Sequence, residues 1–143
     1  MILGAIFELL KNLLFKTTLI LLSGEPRNKF LRLYGIKIGE GCEIYSTGFS
    51  TEPFLIEIGN QVAIAAGTVF ITHDGSVRIM RDTFPDIDLF GKIKIGNNTF
   101  IGTNCLILPN TLIGSNCIVG AGSVIRGCIP DNSVALAILP RLL

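Results

Sequence analysis

Ile95–Pro130 reads IGNNTF-IGTNCL-ILPNTL-IGSNCI-VGAGSV-IRGCIP, a period of six sustained through six blocks. An aliphatic residue opens every block: Ile95, Ile101, Ile107, Ile113, Val119 and Ile125. Glycine follows at Gly96, Gly102, Gly114 and Gly120, and a small residue takes the fifth place at Thr99, Cys105, Thr111, Cys117 and Ser123. An α-helix repeats every 3.6 residues and cannot keep period six on one face. A hairpin protein would alternate with period two between turn pairs. Period six predicts a parallel β-helix, in which three short strands and three sharp turns make one coil of about eighteen residues. The opening aliphatic residue points inward, and coils stack at the strand spacing of about 4.8 Å. Asparagine and glycine tolerate the turn conformations that bulky residues resist.

The same count extends towards the amino terminus. Blocks open at Ile38, Ile44, Ile58, Ile64 and Phe70. Ile38 and Ile58 are two residues further apart than one coil, so a longer turn is expected within STEPFLIE, residues 50–57. From Phe70 to Ile95 the count exceeds one coil by seven, which predicts a loop insertion around residues 74–92. Solenoids place insertions in loops on one face, often the working face. This insertion holds Asp82, Asp86 and Asp88 with Arg78 and Arg81, and His73 stands at its entrance in FITHDGS.

Residues 1–23, MILGAIFELLKNLLFKTTLILLS, are strongly apolar. Glu8, Lys11, Asn12 and Lys16 fall on one narrow side of a helix. Such a helix would cover the open end of the solenoid or, as the second reading, dock on a membrane surface. Charges interrupt the run, so a spanning helix is not expected. Nor is a signal peptide, because the cationic start and small-residue cleavage site are missing. GEPRN, residues 24–28, reads as a break, and residues 29–35 as a short basic lead into the first coil. The chain thus divides into residues 1–35 (helix and connector), 36–134 (β-helix) and 135–143 (tail).

The net charge is +1, only 16% of residues are charged and no basic run occurs, which gives no case for nucleic-acid binding. Cys42, Cys105 and Cys117 occupy small fifth positions and no C-x-x-C pair exists, which argues against disulfides and zinc. Cys128 falls outside that register. Reduced thiols fit a cytoplasmic location. His73 is the only histidine. A three-histidine zinc hydratase on this fold would need three copies of it on one axis, so no metal is expected. An imidazole is suited to general-base chemistry because it titrates near neutrality.

These motifs resemble the hexapeptide-repeat acyltransferases, and within them the sugar O-acetyltransferase-like branch. The similarity is carried by the run from Ile95, by THDGSV from Thr72 and by IPDNSV from Ile129, and it covers residues 36–134. It implies a left-handed parallel β-helix with an N-terminal helical segment. It implies an acetyl-CoA-dependent enzyme that acetylates a hydroxyl of a sugar or glycan intermediate, as in polysaccharide biosynthesis, with His73 as base. It also implies a homotrimer with coenzyme A in a groove between subunits. By position, Thr103 and Ala121 match cofactor contacts. Arg126 replaces a usual threonine but could meet a phosphate, and Phe100 stands where tryptophan is common. Asp74 and Asp82 are the candidate acceptor contacts, a solvated loop being the alternative for Asp82. Glu57, a loop aspartate or a backbone carbonyl could orient His73. A catalytically degenerate scaffold and an amino-sugar N-acetyltransferase remain as alternatives.

The tail departs from the resemblance. Relatives continue IPDNSV with a segment containing N-P-A-K-V-I, whereas this chain reads ALAILPRLL. Permitted codons for that stretch, read from the third base, encode S-S-N-P-A-K-V-I. A frame shift near Ala135 is therefore expected. Sequencing the 3′ end of the gene tests it, and codons unable to encode that second frame would refute it.

Overall fold

A computed structural model describes residues 2–136. The tail reading beyond Leu136 lies outside the described residues. Among the described residues two helices, α1 (Ile2–Leu21) and α2 (Gly24–Tyr34), precede fourteen short strands. The strands wind into coils and stack as three parallel faces. The first face holds β1 (Lys37–Ile38), β4 (Ile56–Ile58), β7 (Ile93–Ile95), β10 (Thr111–Ile113) and β13 (Cys128–Ile129). The second holds β2 (Glu43–Ile44), β5 (Ala63–Ile64), β8 (Phe100–Ile101), β11 (Ile118–Val119) and β14 (Val134–Ala135). The third holds β3 (Gly48–Phe49), β6 (Val69–Phe70), β9 (Leu106–Ile107) and β12 (Val124–Ile125). This is the parallel β-helix expected from the period of six.

Every block-opening residue from Ile38 to Ile125 is buried, and so are Cys42, Cys105 and Cys117. Thr99, Thr111 and Ser123 are buried too, and their hydroxyls donate to carbonyls of Gly114, Leu108 and Gly120. The fifth place is thus a position for a small side chain that can satisfy itself in a dry corner. The fourth residue of a block takes the left-handed conformation, as Asn98, Asn116 and Asn132 do with φ of 51°, 56° and 59°. Asn98 donates to Asn116, and Asn116 to Asn132, so these turns form a ladder down one edge. Gly102 shows why glycine takes the second place: a Cβ there would lie 2.6 Å from the Ala121 nitrogen of the next coil.

The amino-terminal region differs from the expectation. GEPRN is not a break but the first turn and a half of α2. Pro26 sits where the backbone N–H needs no intrahelical partner, so the helix tolerates it. It is α2 that covers the first coil. Asn28 donates to the Cys42 carbonyl at 2.7 Å, and Arg32 donates to the carbonyls of Ile38 and Gly39 at 2.8 and 2.6 Å. Arg27 donates to the carbonyls of Leu19, Leu22 and Ser46, which ties the end of α1 to the first coil. α1 packs on α2 through Phe15, whose ring lies 4.1 Å from Tyr34 and 5.6 Å from Phe30 between centroids.

Arg27 is buried, so its removal leaves several carbonyls without donors. Arg27→Ala is expected to cost about 3 kcal/mol of stability, the scale for breaking a buried charge-assisted network. Thermal or urea unfolding measures this. A loss below about 0.5 kcal/mol, the level of an ordinary surface change, would refute the clamp.

Candidate active site

Face three determines where the site forms. Phe49 pairs with Phe70, twenty-one positions on. Their rings stack at 5.3 Å and 6°. Continued through the following turn, that register brings Glu52 beneath His73. Pro53 begins a short 3-10 turn, Pro53–Leu55, which absorbs the additional residues of this coil. His73 Nδ1 lies 3.0 Å from Glu52 Oε2.

The Glu52 carboxylate is held by several donors. Thr72 donates to it at 2.7 Å, Thr51 at 2.5 Å and Ser50 at 3.1 Å. Burial alone would push its pKa up, but hydrogen bonds from Thr51, Thr72, His73 and Ser50 outweigh it and lower the value from 4.5 to about 2. Glu52 is therefore ionised at neutral pH and can only accept. His73 Nδ1 must then carry the hydrogen, which leaves the lone pair on Nε2. Nε2 has no hydrogen-bond partner among the described residues, and the side chain is 47% exposed. This is the arrangement of a base whose tautomer is fixed from behind.

The inserted loop leaves the coil at His73 and returns at Phe90, with which His73 forms an antiparallel bridge. Asp74 N donates to the Leu89 carbonyl, and Gly91 N to the Thr72 carbonyl, at 2.9 and 2.8 Å. Asp74 caps the 3-10 segment Gly75–Met80 by accepting from Ser76 N at 3.0 Å. Backbone and side-chain hydrogen bonds from Ser76, and then Arg126 beside it, hold the Asp74 carboxyl below its usual range.

Two clefts meet at His73. One, of about 320 Å³, lies under the loop and is walled by Glu52, Arg78, Arg81, Asp88 and Phe90. The other, of about 340 Å³, runs along the solenoid past Ile71, Leu108, Pro109 and Arg126. Arg126 Nη2 lies 3.3 Å from Asp74 Oδ2, so these two residues frame the second cleft with His73.

Of the sequence-based candidates, the structure brings together His73, Asp74 and Arg126. Asp82 is exposed on the loop and lines neither cleft; Asp88, paired with Arg81 at 2.7 Å, is the loop aspartate that does. Thr103 and Ala121 are exposed on the corner between faces two and three, where Gly122 N donates to the Thr103 carbonyl at 2.8 Å. With Ala66 they form a column of small side chains. Face three separates that column from His73 within one chain. Glu57 does not orient His73, since it points away on β4 and pairs with Lys94 at 3.4 Å. Glu52 takes that role and was missed. Counting back from His73 by the twenty residues that separate Ile38 and Ile58 lands on Pro53, and only the pairing of Phe49 with Phe70 supplies the one further residue that reaches Glu52.

Residues 92–127 match the family described as bacterial transferase hexapeptide (six repeats). The chain is 49% identical over 107 residues to Protein CapG of Staphylococcus aureus, covering 73% of this chain and 62% of that protein. It is 31% identical over 108 residues to the bifunctional protein GlmU of Brevibacillus brevis, covering 76% of this chain and 20% of that protein. It therefore spans less than two thirds of the length of either relative. Among solved structures, a maltose O-acetyltransferase from Clostridium difficile 630 superposes with a TM-score of 0.57 at 26% identity, over 78% of this chain and 70% of that one. Residues 92–127 thus carry the hexapeptide repeat of bacterial transferases, and the coils and these relatives agree with that reading.

Proposed function

We propose that the protein is an acetyltransferase that moves an acetyl group from acetyl-CoA to a hydroxyl of a sugar or glycan intermediate. The observation that carries this reading is the Glu52–His73 pair, with Nε2 open between two clefts. Neutral His73 takes the proton from the acceptor hydroxyl through Nε2. The oxygen then attacks the thioester carbon, and the C–S bond breaks. The imidazolium returns its proton to the leaving thiolate, so the products are the acetyl ester and free coenzyme A. No acyl-enzyme forms. Cys105 and Cys117 are buried, with Sγ 3.2 Å from the carbonyls of Gly120 and Pro130. The maltose O-acetyltransferase similarity supports a sugar hydroxyl over an amine as acceptor.

Asp74 would meet the acceptor, and Arg126 a phosphate of coenzyme A. Asp82, outside both clefts of a single chain, would meet acceptor only across a subunit boundary. Thr103 and Ala121 would do their part from a second copy, because in one chain they stand on a different corner from His73. The outward side chains support such an assembly. Face two carries Phe100, Ile118 and Val134 in one ladder, and face three carries Val69, Leu106 and Val124. Face one is mixed, with Lys37, Glu57 and Lys94 outward beside Leu112 and Cys128. Two apolar faces and one mixed face suit a homotrimer whose sites lie between copies. Release of free thiol from acetyl-CoA, followed across a panel of sugars, tests the activity. Acceptor-dependent release supports the reading. Its absence from folded trimeric protein across the panel would favour the scaffold alternative.

A further inference from the structure

We infer that α1 is an interfacial helix that docks the protein on an anionic bilayer surface. The helix turns its apolar side away from the rest of the chain. From Leu9 through Ile20, Leu13, Ile6 and Leu10 to Phe7, the exposed residues cover an arc of about 160° at 3.6 residues per turn. Their exposure runs from 47% to 73%. Phe15 and Leu19, on the opposite side, make the contacts to α2 and the solenoid end.

Three further observations select a lipid surface as the occupant. First, Thr17 lies within the arc, and its hydroxyl donates back to the Leu13 carbonyl at 2.8 Å. Its donor is thus satisfied inside the helix, as an apolar surrounding requires. Second, Lys16 and Lys11 fall at the two margins of the arc, where long side chains reach headgroups while their stems stay apolar. Third, charge is segregated. Residues 1–37 contain six Lys and Arg against two Asp and Glu, a net +4, and the remainder contains six against nine, a net −3. The positive end is the helical end. A seam with a second copy of α1 would need only a narrower stripe. No helix among the described residues is long and apolar enough to cross a membrane, so the helix lies on the surface.

His73 follows β6 in the second coil, one strand spacing of about 4.8 Å above the first coil. If the transferase reading holds, docking brings that cleft close to the bilayer and within reach of an acceptor carried on a lipid.

Flotation of the full chain with vesicles tests the docking without any activity readout. Vesicles of phosphatidylcholine with phosphatidylglycerol should carry the protein up, and phosphatidylcholine alone should carry far less. Leu10→Asp with Leu13→Asp should reduce partitioning at least tenfold. Lys11→Gln with Lys16→Gln should lower binding to anionic vesicles about fivefold per lysine, and should not affect neutral ones. The lysine pair serves if the aspartate pair fails to fold. Wild-type protein that does not float overturns the inference. So does flotation that is unchanged by either pair. An aspartate pair that lowers the oligomeric state, in a wild type that does not float, would assign the arc to a second copy instead.

Discussion

His73→Ala is expected to lower acceptor-dependent thiol release about a thousandfold, in the middle of the range for a lost general base. The loss should fall on kcat, with the KM for acetyl-CoA nearly unchanged. In the proposed reaction Nε2 would meet the acceptor proton, and the imidazole is not among the small-residue turns proposed for the cofactor. The fold should be unaffected. The side chain is about half exposed, and the loop is closed by backbone bonds at Asp74 and Gly91 that alanine leaves in place. Stability should change by less than about 1 kcal/mol, so a folded, inactive variant is the expected result. Initial-rate patterns should be sequential, because attack is direct. A ping-pong pattern would point to an acyl-enzyme, for which the buried Cys105 and Cys117 are badly placed. Activity retained within tenfold in His73→Ala would remove the histidine from the chemistry.

The solenoid was legible because period six leaves few alternatives. Each aliphatic opener must face inward if the coils are to stack, and each does. The position of His73 at the mouth of the inserted loop was legible for a related reason: it stands where the regular count fails, and a solenoid can only insert where a turn opens to solvent. The first helix was read from the sequence but the second was not, because Gly24 and Pro26 are turn residues in isolation. What overrides them is tertiary: Arg27, Asn28 and Arg32 each meet carbonyls of the first coil that have no strand below, and only a helix presents all three together. Glu52 was hidden differently. Its role depends on a coil lengthened by a 3-10 turn, and the extra residues shift which side chain lies under the histidine. The Thr103 and Ala121 positions follow from turn register, but their distance from His73 within one chain is a property of the prism and not of the repeat.

Glu52→Gln is expected to lower kcat about a hundredfold and leave both KM values within a few-fold. The glutamine carbonyl can still accept from Nδ1, so the ring keeps its place. What is lost is the negative charge that stabilises the imidazolium as it forms, the role a buried carboxylate plays behind a catalytic histidine. Glu52→Ala should cost more, since it also frees the ring and leaves Thr51 and Thr72 without their acceptor. The stability of the wild type should also depend on this group, with a definite sign. Its pKa is depressed from 4.5 to about 2 on folding, so its contribution is complete above pH 4.5 and disappears as the pH falls towards 2. The difference in Tm between wild type and Glu52→Gln should therefore narrow as the pH falls from 4.5 towards about 2. A gap that stays undiminished as the pH falls to about 2 would mean that the ionised carboxylate does not stabilise this turn. A Glu52→Gln enzyme with wild-type kcat would mean that the carboxylate braces the turn and does not act through His73, whereas a lowered kcat with an unchanged KM separates a positioning carboxylate from a merely structural one.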